Sequence, residues 1–250
     1  MKMVSLTLLF GGLLTAGCSL VSSDTTCADA PCAKVATCSA TPAAVSVSVH
    51  PDSRNWRSLF NLTLDNAIFT KGVWFINDKG DLTANKDEAI WTNCDYENFV
   101  LDLEYTCDPA ANSGVLIYGS DLENWIPNTV EIQILDDNNP HWSKEQAFAK
   151  NGGLYGHLAP KVNNVKPAGE WNRMTITAQG QHIIVAVNGE ITVDTNLSQW
   201  TSAKKNPDGT DIPPWLSRPW AELPSKGRIG LQGKHGNAAI YFRNVKINTL

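Results

Sequence analysis

The feature that most restricts the fold is a hydrophobic period of two, which begins near residue 56 and persists to the C-terminus. Phe99, Leu101, Leu103 and Tyr105 alternate with Val100, Asp102, Glu104 and Thr106; Val130, Ile132 and Ile134 alternate with Glu131 and Gln133; Ile183, Val185 and Val187 share one parity. Residues two apart project from the same side of an extended chain, so each run predicts a half-buried β-strand. Runs at 73–77, 114–118, 171–178, 228–232 and 238–248 raise the expected strands to about ten. Asn188-Gly189 between two of the runs is the strongest turn signal, because both central residues of a type I′ hairpin need positive φ. Hairpin-linked strands with hardly any amphipathic helix specify an all-β fold, a jelly-roll sandwich of two antiparallel sheets, with a closed barrel as the alternative. The Pro-rich stretch 207–224 is expected as a loop beside this sandwich.

The N-terminus follows other rules. Lys2 precedes an apolar run over residues 4–16 that stops at Gly17-Cys18. This run falls short of the ~20 apolar residues of a membrane span and has the layout of a signal peptide over residues 1–17. Small residues followed by cysteine are similar to a bacterial lipobox, which predicts lipidation of Cys18. The expected product is an exported lipoprotein held on the outer membrane by its lipid alone, facing the periplasm or the exterior, and monomeric. Residues 18–53, rich in Ala, Ser, Thr and Val, read as a tether, and 54–250 as one domain, long enough to bury a two-layer core.

Charge and cysteine usage remove further classes. The net charge is −5 with no Lys/Arg cluster, which excludes the basic stripe that nucleic-acid binding requires. Cys27, Cys32 and Cys38 lack the histidines and CxxC spacing of a zinc site, so disulfides are the better reading in an oxidising compartment. Cys94 and Cys107 flank an expected strand, which holds them beyond bridging distance, so at least one of them is expected to pair with the tether.

The densest chemical cluster is Glu131-Ile-Gln133-Ile-Leu-Asp136. With Val130, Ile132 and Ile134 in the core, Glu131 and Gln133 project together from the opposite face. The spacing is similar to the Glu-x-Asp-x-x-Glu strand of retaining glucanases, except that Gln133 replaces the middle aspartate and Asp136 the distal glutamate. Asp136-Asp-Asn-Asn139 offers oxygen atoms to calcium but lacks the ligand order of a calcium loop, so no cofactor or metal is expected.

Across 56–250 the chain resembles the DUF1080 family, named for 3-keto-disaccharide hydrolysis, with a concanavalin A-like jelly roll. The resemblance rests on motifs in a fixed order: Ser58-Leu-Phe-Asn61, Ile90-Trp-Thr92, Tyr96-Glu-Asn-Phe99, Leu101-Asp-Leu-Glu104, Asn112-Ser-Gly-Val115 and Val130-Glu-Ile-Gln-Ile-Leu-Asp136. Gly153-Leu-Tyr-Gly156, Lys166-Pro-Ala-Gly-Glu-Trp-Asn172, Val187-Asn-Gly189, Ile229-Gly-Leu-Gln232, His235-Gly236 and Phe242-Arg-Asn244 continue it. Where the family typically has an arginine at the end of the strand that starts at Asn112, this chain has Tyr118.

The resemblance implies a carbohydrate substrate and cleavage of the glycosidic bond of a 3-keto sugar. A ketone at C3 acidifies the hydrogen on C2, so a base can remove it and expel the C1 substituent; water then completes a net hydrolysis. Such a site needs a base, a donor for the enolate oxygen and an acid for the leaving group. Glu131 and His235 are the expected catalytic pair. Gln133, Asn112, Lys166, Asp136, Tyr155 and Trp142 are the expected substrate contacts, while Arg243 and Asn244 are assigned to structure. Among the nine tryptophans, Trp56, Trp74 and Trp91 are read as core or turn residues, and Trp142, Trp200, Trp215 and Trp220 as candidates for a cleft wall. A non-catalytic carbohydrate-binding module and a retaining glucanase are the alternative readings.

Overall fold

The computed structural model describes residues 53–250; the expected signal peptide, the lipidated Cys18 and the tether up to residue 52 lie outside the described residues. The strands in chain order are β1 Arg57–Ser58, β2 Ala67–Ile68, β3 Trp74–Ile76, β4 Leu82–Ala84, β5 Ile90–Thr92, β6 Phe99–Cys107 and β7 Asn112–Gly119. They continue as β8 Val130–Leu135, β9 Asn172–Gln179, β10 His182–Val187, β11 Glu190–Asn196, β12 Arg228–Leu231 and β13 Ile240–Thr249. The larger sheet runs β11-β10-β9-β6-β13-β4-β3, with β1 also on β13; the smaller runs β2-β5-β12-β7-β8. Every described pairing is antiparallel, and the two layers form the jelly-roll sandwich that the period-two pattern predicts.

The alternation sorts side chains between the layers as expected. Phe99, Leu101, Leu103 and Tyr105 of β6 and Val130, Ile132 and Ile134 of β8 are fully buried in one apolar cluster. Asn188 and Gly189 adopt φ of 46° and 93°, as a type I′ hairpin demands. The strands missed by the period are the short ones, β1, β2, β4 and β5, whose two or three residues are too few to show an alternation.

Several tryptophans fall differently from expectation. Trp74 joins the core, but so do Trp200 and Trp220, which their loop positions placed on a cleft wall. The segment 197–223 turns back on the sandwich through short 3-10 turns and buries Leu216, Trp220 and Leu223 with Trp200, so an irregular segment supplies core. Trp91 is buried outside that cluster, on the other side of the smaller sheet, edge-on to Trp125. Tyr118 is also in the core, its hydroxyl donating to the Gly180 carbonyl, and it does not stand in for an arginine in a cleft. Cys94 is disulfide-bonded and Cys107 is a buried free thiol, so the two do not pair with each other.

One close approach positions the loop that carries His235. A Cβ built on Gly233 would lie 2.2 Å from the Lys86 carbonyl oxygen and 2.7 Å from that of Glu88. Both atoms are backbone, so only glycine lets the turn after β12 lie against the segment before β5.

His157 is the buried histidine of the fold. It stacks on Trp220 with ring centroids 3.5 Å apart, Nδ1 is 2.9 Å from the Tyr155 carbonyl, and burial lowers its pKa to about 4. The unfolded chain therefore binds this proton first as pH falls, so the stability it contributes is complete above about 6.5 and lost towards 4. Chemical denaturation between pH 7 and 4 should show a loss of up to about 3 kcal/mol from this group. His157→Phe should flatten that acid limb; an unchanged limb would refute the assignment.

Candidate active site

The outer face of the smaller sheet is built from alternate residues of four elements. In the β7–β8 pair, Leu116 lies opposite Glu131, Gly114 opposite Gln133 and Asn112 opposite Leu135. The polypeptide after β12 extends this surface, since Gln232 N donates to the Gly114 carbonyl and His235 N to that of Asn112. On the other side of β8, residues 152–155 run along the strand, with Tyr155 N donating to the Glu131 carbonyl and Gln133 N to that of Gly153. Four separate segments thus deliver His235, Asn112, Glu131 with Gln133, and Tyr155 to one surface.

Glu131 is the electrostatic centre. Its carboxyl lies directly over Gly114, where an added Cβ would be 2.5 Å from Oε1. No cation or hydrogen-bond donor holds the carboxyl among the described residues. Burial, reinforced by the negative charge of Asp87, raises its pKa to about 8. At neutral pH the group is predominantly a protonated acid.

Asp87 was not singled out from sequence. Its Oδ2 is 2.6 Å from His235 Nδ1. Both side chains are about half exposed, so the pair adds little stability; its consequence is orientation. With Nδ1–H donating to the carboxylate, the imidazole presents Nε2 as a proton acceptor. The only sequence signal for Asp87 is its position one turn before the Ile90-Trp-Thr92 motif, which carries no chemistry by itself.

The remaining expected contacts divide. Gln133 Nε2 donates to Asn112 Oδ1 at 2.9 Å, which leaves the Asn112 Nδ2 group as a donor at the site, while Gln133 itself is buried. Tyr155 lies near Trp215 and packs edge-on against Phe148. Trp142 and His235 share a depression of about 620 Å³ with His141, Ala110 and Gly236. Trp215, 56% exposed, lines another of about 510 Å³ beside Phe148 and Gln146. The first lies on the β7 side of Glu131 and the second beyond Tyr155.

Two expected contacts do not join them. Asp136 is buried, with Oδ2 accepting from Ala110 N, so it anchors the β6–β7 turn instead of facing a sugar. Lys166 donates from Nζ to the Trp171 carbonyl and lies on the loop before β9, which belongs to the larger sheet. The oxygens considered for calcium are likewise engaged, Asp137 by Asn151 N and Asn139 by His141 N. No group of three His, Cys, Asp or Glu able to hold a metal occurs among the described residues.

Comparison with known proteins agrees with this architecture. A 3-keto-disaccharide hydrolase of Bacteroides thetaiotaomicron is 26% identical over 174 residues, which cover 62% of this chain and 59% of that protein. A proposed glycosyl hydrolase of Parabacteroides distasonis is 52% identical, with a TM-score of 0.75 over 78% of this chain and 99% of its own. A second protein of that organism, 23% identical with a TM-score of 0.61 over 74% and 88% of the two chains, shares the fold. The profile of the 3-keto-alpha-glucoside-1,2-lyase-like domain matches residues 55–248, nearly all of the described chain, and the protein belongs to that family.

Proposed function

We propose that the domain cleaves the glycosidic bond of 3-keto-glycosides by elimination followed by addition of water. The observation that carries this reading is a carboxyl whose pKa is raised to about 8 beside an Asp87–His235 pair, which places an acid and a base on one surface. His235 Nε2 takes the proton from C2. The C1–O bond breaks as a C1=C2 double bond forms, Glu131 gives its proton to the departing oxygen, and the Asn112 amide donates to the enolate oxygen at C3. Water then adds across the double bond to give the free keto sugar. Gln133 positions Asn112, and the Trp142 and Trp215 depressions receive the two sides of the glycosidic bond.

The retaining-glucanase alternative is disfavoured by the same geometry. It needs two carboxyl groups ~5–5.5 Å apart, and Asp136, the candidate partner, is committed to the Ala110 amide. The proposed setting is an exported lipoprotein anchored through Cys18, supported by the N-terminal apolar run and by a disulfide at Cys94, a bond that persists in oxidising compartments.

Leaving-group dependence tests the assignment of the acid. Glu131→Gln should slow release of a sugar from a 3-keto-disaccharide by roughly 10²–10⁴-fold, the range of general acid catalysis. It should spare p-nitrophenol release from the 3-keto-p-nitrophenyl glucoside, because that leaving group needs no proton. Equal losses on both substrates would assign Glu131 another role, and sugar binding without turnover of either substrate by the wild type would make the domain a binding module.

The pH profile tests Asp87. The wild type should lose kcat/KM on the disaccharide above about pH 8, as Glu131 deprotonates. Asp87→Asn removes a negative charge that raises the Glu131 pKa, so the alkaline limb should move to lower pH. It should also lower the rate on both substrates, because the imidazole loses its orienting partner. An unmoved limb would sever the link between Asp87 and Glu131.

A further inference from the structure

We infer that the outer face of the larger sheet carries a second carbohydrate-binding site, on the opposite layer from Glu131, that takes a neutral, unbranched oligosaccharide. The inference rests on the reading of the protein as carbohydrate-acting but not on the elimination chemistry.

The basis is a row of side chains set by strand register. Phe75 of β3 is opposite Thr83 of β4, Thr83 is opposite Tyr241 of β13, and Tyr241 is opposite Thr106 of β6. Asn172 of β9 is opposite Tyr105, so Trp171, one residue earlier, continues the row beside Thr106. The order across the sheet is aromatic, threonine, aromatic, threonine, aromatic. Each aromatic is two strands from the next, roughly 9.5 Å, a separation of the order of a disaccharide unit. All five residues line one depression of about 690 Å³.

The row has the chemistry of a sugar platform. Phe75 is 43% exposed, and Tyr241 and Trp171 are partly exposed, while the threonines between them are buried and keep the floor low. Trp171 is held in place, with the Arg243 guanidinium 3.8 Å from its ring centroid and Arg243 Nε bonded to Glu104. An aromatic held before binding gives up little conformational entropy when a ligand stacks on it. Thr106 Oγ1, in the floor between Tyr241 and Trp171, has no hydrogen-bond partner among the described residues, and an unsatisfied hydroxyl is a cost that a sugar hydroxyl relieves. Asp78, Asp81 and Asp108 against Lys79 and Lys234 leave the rim close to neutral, which favours an uncharged glycan. Asp108 also lines the depression that contains His235, so the two sites adjoin at one end of the sandwich.

Titration calorimetry of the soluble protein with unoxidised cellohexaose, xylohexaose and maltohexaose tests the site. At least one should bind the wild type saturably, and Glu131→Gln should bind it equally. Tyr241→Ala should weaken binding by about tenfold and Phe75→Ala by a few-fold, as loss of a stacking partner does, with turnover of the 3-keto-p-nitrophenyl glucoside unchanged. Should Tyr241→Ala unfold the protein, Tyr241→Thr keeps a strong strand former at that position and should show the same loss. Absence of saturable binding to all three hexasaccharides, or binding lost in Glu131→Gln and kept in the Tyr241 variants, would overturn the inference. Binding at Tyr241 without keto-glucoside turnover would leave this site standing and remove the proposed reaction.

Discussion

The burial of one carboxyl without a counter-ion is the constraint on which the functional face depends. Desolvating a charged carboxylate is costly, and a lone one in an apolar setting keeps its proton instead. Glu131 is in this position because β7 presents Gly114 opposite β8, and the missing Cβ lets the side chain lie flat on the sheet. Any other residue at 114 would lift the carboxyl towards water and lower its pKa. The absence of a methyl group on one strand therefore sets the protonation state of a group on the next.

A second close approach completes the pair. Gly233 lets the turn after β12 rest against the backbone of residues 86–88, and that contact brings His235 to Asp87. Asp87 has two effects there. It orients the imidazole by direct contact, and its charge, sensed at Glu131 over a longer distance, reinforces the neutrality of the acid. One neighbour thus acts on both groups, as the orienting partner of the imidazole and as a charge that favours the protonated form of the acid. Tyr155, Trp215 and Phe148 on one side and Trp142 on the other supply flat apolar surfaces around this centre, which suits pyranose rings.

The two sheets divide the labour. The smaller, edged by β8, carries ionisable groups over glycines. The larger carries threonines between aromatics on its outer face, beside the ion pairs of Arg173 with Asp102 and Arg243 with Glu104. The Arg243-Asn244 motif, read as structural, is indeed bonded to Glu104, and through Trp171 it also shapes a surface.

Period-two alternation was enough to determine the fold class, the core residues of β6, β8 and β10, and the face shared by Glu131 and Gln133, because strand geometry ties residue parity directly to side. The Asn188-Gly189 hairpin was legible for a similar local reason, positive φ at two adjacent residues. Glu131, His235, Asn112 and Tyr155 were expected at a site through the order of short motifs. Their spatial order was not, since it depends on which strands become neighbours. Asp87 was invisible, because its partner lies 148 residues away in the chain. Asp136 and Lys166 misled because a polar residue in a motif can serve a turn as well as a ligand, and only their hydrogen-bond partners distinguish the two. Trp200 and Trp220 misled because a Pro-rich loop can fold back and supply core. Sequence by itself determined what each strand buries, a matter of local periodicity; tertiary structure alone decided which charges meet, a matter of close backbone approach between segments far apart in the chain.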